Sequence, residues 1–178
     1  MAKKTTPAAE QPEDSALNEL FLDEIKDVYW AELHLAKTLP KMAEGTTSED
    51  LKKAFENQLK QSTTHIERLE QAFKTLDEKA EAEKCEAMNG LLKEAEELQE
   101  DTDEGTLVRD VALISAGQKI IHYKIASYGT IKTVALTLGE KEVADLLTKT
   151  LKESKATDEL LTKIAESHIN ADAAKEKE

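Results

Sequence analysis

Histidine and acidic side chains interrupt apolar stretches of this chain, and their types suit metal or acid–base chemistry. His122 lies in the run GQKIIHYKIASYG, residues 117 to 129, and Glu32 lies in an apolar stretch near the amino terminus. His65 and Asp158 interrupt two further stretches. Carboxylates and imidazoles are common ligands of iron, manganese and zinc. These four residues are therefore the candidates for a metal centre.

Each histidine also has a structural interpretation. For His122 we favour a residue at the edge of the core, bonded to an acid of the first or last long helix, over a metal ligand. For His65 we favour a solvated position over a mononuclear site shared with Glu32. His34 and His168 are expected at the surface.

Cys85 is the single cysteine, so it cannot form a disulfide within the chain. No histidine lies near it in the sequence, and the chain has no glycine-rich phosphate loop. A hydrolase or another nucleophilic enzyme therefore has no support.

Apolar residues that recur every three or four positions predict the helices that must position these side chains. Long helices are predicted over 15–44, 48–77, 106–137 and 140–168, and the connection 78–105 contains a shorter helix at about 84–100. Two helix hairpins joined by one crossover are typical of the bundles that include ferritin-like folds. We predict an all-α, ferritin-like four-helix bundle whose second and third long helices are parallel and whose crossover helix packs across it.

Composition limits the classes of partner. The net charge of −13 opposes binding to nucleic acid or to an anionic membrane. The start of the sequence has no apolar signal segment, which predicts a cytoplasmic protein. We expect one domain over 15–168, with disordered, solvated tails at 1–14 and 169–178.

Polar residues interrupt every long apolar stripe near its middle, and this predicts one polar layer across the bundle. An unpaired polar group in a core costs about 1–3 kcal/mol, so the layer needs internal partners or a metal. Its predicted members are Glu32, the segment from Gln58 to His65, Gln118, His122, Ser154 and Asp158.

Several segments resemble the YciE/YciF-type stress proteins of the ferritin-like superfamily. They are FLDEIKDVYWAELHLAKTLPKMA, HIERLEQAF, KCEAMNGLLKEAEEL, VRDVALISAGQKIIHYKIASYGT and LLTKTLKESKATDELLTKIA, within residues 15 to 166. The resemblance implies a ferritin-like bundle with a crossover helix, a bacterial cytosolic origin, dimers, and expression under osmotic, stationary-phase or bile stress.

The resemblance also implies a set of di-iron ligands, of which two match. Glu32 matches the glutamate of the first helix, and Asp158 matches the last acid of the fourth. Elsewhere the implied ligands are replaced, by Lys60 and Thr63 on the second helix, Ile121 and Lys124 on the third, and Ser154 on the fourth.

These replacements predict a dismantled, metal-free site. Isoleucine cannot bind a metal, and a protonated lysine repels one. Lys60 or Lys124 would then neutralise Glu32 or Asp158, or else point to water.

We therefore expect a non-enzymatic stress protein without a cofactor, which acts by self-association or by binding a protein partner. The alternative is an iron-dependent oxidase or peroxidase with an altered site built from Glu32, Asp158, His65 and His122, with Glu153 as a further ligand. A homodimer or a higher homo-oligomer is expected from the resemblance. It is also expected because Tyr29, Trp30 and Tyr128 exceed the aromatic content that one narrow core needs.

Overall fold

The computed structural model describes residues 15–177 and confirms the predicted architecture. Helix α1 covers Ala16–Glu44, α2 covers Glu49–Thr75, and the crossover helix α3 covers Glu86–Glu100. Helix α4 covers Leu107–Leu138 and α5 covers Lys141–Ile164. The predicted tail at 1–14 lies outside the described residues.

Side chains at the helix starts fix the bounds of the helices. The hydroxyls of Ser15, Ser48 and Thr106 each accept a hydrogen bond from the backbone N–H three residues later. Cys85 caps α3 in the same way through its sulfur atom, which accepts from the N–H of Met88 at 3.2 Å.

The long helices form a four-membered ring in which α1 packs against α2 and α4, and α5 packs against α2 and α4. Helix α3 lies across α1 and α4. Asp110, near the start of α4, accepts hydrogen bonds from Thr47 N (2.8 Å) and Ser48 N (2.7 Å) at the start of α2. The two starts are therefore adjacent, and α2 and α4 are parallel as predicted.

The carboxyl-terminal helix extends beyond its predicted end. A π-helix covers Ala165–Ile169 and a short helix, α6, covers Asn170–Ala173, where the sequence predicted a tail from residue 169. Ile169 is fully buried, and the wide turn of the π-helix places it on the same inward face as Leu161 and Ala165. Burial of this side chain explains why the helix continues.

The core has two apolar clusters with a polar layer between them. One cluster joins the carboxyl-terminal half of α1 to the start of α2, and the other joins the amino-terminal half of α1 to the end of α2. None of the helices within residues 15–177 has the length and apolar character of a membrane span.

Candidate functional site

Six buried positions, contributed by all four long helices, form the centre of the polar layer. Helix α1 contributes one, α2 two that are three residues apart, α4 one, and α5 two that are three residues apart. They are Glu32, Ser62, His65, Lys124, Ser154 and Thr157.

This arrangement has the spacing of a di-metal carboxylate site in a helical bundle. Such sites take one glutamate from each of two helices and a Glu-x-x-His pair from each of the other two. At the six positions only Glu32 and His65 have side chains of the ligand type. We call these six residues the central layer.

Glu32 is bound from several sides by protein donors. Lys124 Nζ lies 2.8 Å from its Oε1 and 3.1 Å from its Oε2. The hydroxyl of Tyr128 donates to Oε1 at 2.9 Å, and that of Ser62 donates to Oε2 at 2.7 Å. Both carboxylate oxygens are therefore satisfied within the protein.

His65 connects this carboxylate to a second ion pair. Its Nδ1 lies 3.1 Å from Lys124 Nζ, and its Nε2 lies 2.8 Å from Glu153 Oε2. An ammonium group can only donate hydrogen bonds, so Nδ1 accepts and the Nε2–H donates to Glu153. Arg68 binds both oxygens of Glu153, at 2.6 and 2.8 Å. The chain of contacts thus ends in a bidentate ion pair.

These contacts shift the pKa values of the acids. Burial raises the pKa of Glu32, but the positive charge of Lys124, the adjacent His65 and the hydrogen bond from Lys124 outweigh it and lower the pKa from 4.5 to about 2. The hydrogen bond from Arg68 lowers the pKa of Glu153. Burial, together with the charge of Glu32, raises the pKa of Tyr128 well above its usual range. The phenol therefore stays protonated and remains a donor.

The four residues proposed from the sequence as metal ligands are found in two pairs. Glu32 and His65 belong to the central layer, with 3.3 Å between Glu32 Oε1 and His65 Nδ1. His122 Nε2 lies 3.2 Å from Asp158 Oδ1, and Gln118 donates to the same oxygen at 3.1 Å. Asp158 directly follows Thr157 in α5, so its side chain leaves the helix in a different direction.

Both histidine interpretations need correction. His65 is 1% exposed and not solvated, because two carboxylates and an ammonium group replace its water contacts. The side chain of His122 is 66% exposed, so it is not a core residue. His122 was predicted to bind an acid of the first or the last long helix, and it pairs with Asp158 of the last one.

Lys124 neutralises Glu32, the first of the two predicted roles, whereas Lys60 points to water, the second. Lys60 is exposed, whereas the inward residues of that part of α2 are Ser62 and His65. The family resemblance predicts the second-helix pair at Lys60 and Thr63, two residues before the buried pair Ser62 and His65. The i, i+3 spacing, compared with the apolar stripe of α2, would have pointed to this buried pair.

Sequence reasoning also missed a cluster beneath the crossover. The Tyr123 hydroxyl donates to Asp27 at 2.6 Å and lies 3.1 Å from Cys85 Sγ. Burial raises the pKa of the Cys85 thiol, which keeps it protonated. A protonated, buried thiol is a poor nucleophile, so this cluster attaches α3 to the bundle.

The residues of the central layer do not fit a di-iron centre. Its single carboxylate already accepts from an ammonium group and two hydroxyls, whereas hard metal ions need several free oxygen donors. Among residues 15–177, no group of three or more histidine, cysteine, aspartate or glutamate side chains is placed to hold a metal ion.

Comparisons with known proteins agree on one family. The family model described as a domain of unknown function, DUF892, matches residues 16–174. The protein YciF of Escherichia coli strain K12 is 42% identical over 158 residues, which cover 88% of this chain and 95% of that protein.

Solved structures show the same similarity. The crystal structure of the E. coli stress protein YciF matches with a TM-score of 0.83 at 42% identity, covering 88% of this chain and 98% of that one. YcfI, a proposed structural protein from Rhodopseudomonas palustris, matches with a TM-score of 0.80 at 37% identity, covering 85% and 96%. A protein from Xanthomonas campestris at 19% identity, with a TM-score of 0.70 over 90% of this chain and 98% of that one, shares the fold.

Proposed function

This chain belongs to the DUF892 family, with the stress protein YciF among its relatives, and from this premise we propose that it is a non-enzymatic stress-response protein. Its bundle serves as a rigid body that acts by association, with itself or with a protein partner. The degenerate metal site in its interior holds the helices together without a metal.

One observation carries this proposal, which is the position of Lys124. Its ammonium group lies between Glu32 and His65, at 2.8 and 3.1 Å from the nearest atom of each. These are the two side chains of the central layer that could otherwise bind a metal. A cation supplied by the protein therefore satisfies the carboxylate, and a bound metal would have to displace it.

The aromatic residues do not support a dimer, because two of the three, Tyr29 and Tyr128, are already buried within the monomer. Tyr128 is 1% exposed and Tyr29 is 9% exposed, with the ring of Tyr29 packed edge-on against Phe73. Trp30 stacks on His34 at a ring separation of 3.6 Å and is partly exposed. The proposed homodimer in a bacterial cytoplasm follows from the family resemblance.

Metal analysis tests the proposal that the interior of the bundle holds no metal. Untagged protein from cells grown with added iron should contain no stoichiometric iron, and it should not speed the oxidation of added Fe(II) by oxygen. About two irons per chain, the content of a complete di-metal bundle, would overturn the proposal in favour of the iron-dependent oxidase.

Sedimentation tests the proposal that the protein associates with itself. At ~100 μM, where weak dimers still form, the protein should sediment at twice the mass of the chain. A monomer at that concentration, with no partner bound in solution, would contradict self-association.

A further inference from the structure

Lys124 reaches the middle of the bundle from α4 and is 2% exposed. Its Nζ lies 2.8 and 3.1 Å from the two oxygens of Glu32 and 3.1 Å from Nδ1 of His65. An ammonium group carries three protons, and three acceptor atoms surround it. These acceptors come from α1 and α2, so the ammonium group connects three helices.

From this geometry we infer that Glu32 and His65, supported by Ser62 and Tyr128, form a binding site for a primary ammonium ion, which the chain fills with its own Lys124 side chain. The inference deepens the proposed function and rests on a central layer that holds no metal.

The hydrogen bonds around the carboxylate explain the preference for ammonium over a metal ion. Ser62 and Tyr128 both point their protons at Glu32, at 2.7 and 2.9 Å, so their oxygens are engaged as donors. The Nε2–H of His65 is engaged with Glu153, which leaves Nδ1 as the acceptor. One carboxylate and one imidazole nitrogen suit an N–H donor and are too few for a hard divalent ion.

Chemical rescue of a Lys124→Ala variant tests the site. The substitution removes three carbons and the ammonium group, the atoms of n-propylammonium. The variant should lose about 10 °C in Tm, since it leaves the Glu32 charge buried without its partner. Addition of ~100 mM n-propylammonium should restore about 3 °C, whereas the same concentration of tetramethylammonium, which has no N–H, should restore none.

Lys119→Ala is the matched control on the same helix. Lys119 forms an ion pair with Glu94 at 2.6 Å, but both side chains are more than 40% exposed. Its loss should hardly change Tm, and n-propylammonium should have no specific effect on this variant or on the unaltered protein.

Equal effects of the two ammonium ions on the Tm of Lys124→Ala, or no effect of either, would overturn the inference. A larger stabilisation by micromolar Mn²⁺ or Fe²⁺ than by n-propylammonium would overturn it in favour of a metal site.

A second measurement uses the unaltered protein and does not depend on the folding of a variant. The Lys124 ammonium protons should give a slowly exchanging nitrogen-15 NMR signal that is absent from Lys124→Met, and absence of that signal from the unaltered protein would also overturn the inference. Iron content of the unaltered protein tests the proposed function separately. An iron-free protein whose variant is not rescued refutes only the ammonium site.

Discussion

At the scale of single residues, Glu32 shows how a buried charge is tolerated. Removing a carboxylate from water is costly, and the cost is offset only when strong partners replace the lost water contacts. Glu32 receives an ammonium group and two hydroxyl donors within 3.1 Å. Lys124 and His65 lower its pKa from an ordinary 4.5 to about 2, against the opposing effect of burial.

This shift predicts how stability depends on pH. Because the pKa is lower in the folded state, the stabilisation is fully present above pH 4.5 and is lost as the pH falls toward 2. Between pH 5 and pH 2, the free energy of unfolding should fall by about 3 kcal/mol more in the unaltered protein than in Glu32→Gln. Urea denaturation across this range measures the slope.

The exposed acid Glu94 is a suitable control for that measurement, since its substitution by glutamine should leave the slope unchanged. A Glu32→Gln slope equal to that of the unaltered protein would contradict the proposed ion pair.

Gln58 is a second buried polar residue, and it lies one turn before Ser62. It is 2% exposed, and neither atom of its side-chain amide has a hydrogen-bond partner in the part of the chain that the structure describes. Gln58→Leu should raise the free energy of unfolding by about 1–3 kcal/mol, because the apolar side chain has no hydrogen bonds to lose.

Gln61→Leu is the matched control for this prediction. Gln61 accepts a hydrogen bond from Thr157 at 2.9 Å, so its replacement should lower stability. If Gln58→Leu also destabilises the protein, the Gln58 amide has a partner in solution.

Among the site residues, the sequence predicted the polar layer and the lysine pairing but not the register of the partners. Glu32 and Lys124 were both candidates, and they meet at 2.8 Å. Ser62 lies on the stripe of α2 that includes Leu51, Phe55 and Leu69, and Lys60 does not, so the periodicity of α2 could have fixed this register. From the sequence, Tyr128 is recognised only as an aromatic residue, because its hydroxyl partner, Glu32, lies on another helix.

At the scale of helices, local patterns predicted the bounds well because periodicity and caps are encoded within each segment. The π-helix at Ala165–Ile169 was not predicted. A π-turn inserts one residue into the helical repeat, which shifts the apolar stripe to Ile169. The regular 3.6-residue periodicity therefore predicts an end of the helix that is too early. Only the packing of Ile169 against the bundle shows that the helix continues.

Two helix ends share one hydrogen-bond pattern but differ in the residue that makes the left-handed turn. After α2, Asp77 has φ 56° and Glu78 N bonds to Phe73 O at 2.9 Å. After α4, Gly139 has φ 89° and Glu140 N bonds to Ala135 O at 2.9 Å. The left-handed conformation costs a residue with a Cβ about 1 kcal/mol more than glycine.

This comparison predicts opposite effects for reciprocal substitutions. Asp77→Gly should raise the free energy of unfolding by about 0.5–1 kcal/mol, and Gly139→Asp should lower it by about 1 kcal/mol. Nothing lies within 4 Å of a Cβ built at Gly139, so backbone strain alone accounts for the loss. Thermal or urea denaturation measures both, and a loss of stability in Asp77→Gly would show that the Asp77 side chain contributes more than the turn costs.

At the scale of the whole molecule, the helix connections predict the architecture, while the axial alignment of the helices decides the chemistry. Each helix carries its own polar interruption, and the short turns of the two hairpins bring these interruptions to one level. A periodicity of 3.6 residues identifies the inward face but does not fix how far one helix slides along another. The four predicted ligands were therefore divided between the central layer and the outer pair of His122 and Asp158.

The alignment seen in the structure allows a metal site to be built in the central layer, and this is the strongest test of the whole bundle. Ser62→Glu, Lys124→Glu, Ser154→Glu and Thr157→His, combined with Glu32 and His65, complete the ligand pattern of a di-metal bundle. This variant should bind about two Mn²⁺ or Fe²⁺ ions per chain. Its clustered carboxylates should destabilise the metal-free form, so metal addition should raise its Tm strongly.

A control variant carries the same changes except that the new glutamate on α2 replaces Lys60 instead of Ser62. Lys60 is exposed, so this carboxylate stays in water and the site keeps five ligands. Calorimetric titration of both variants with metal should show that the metal binds more tightly when residue 62 is the glutamate. Equal affinities would mean that the central layer has been assigned to the wrong face of α2, since a surface carboxylate cannot replace an inward ligand.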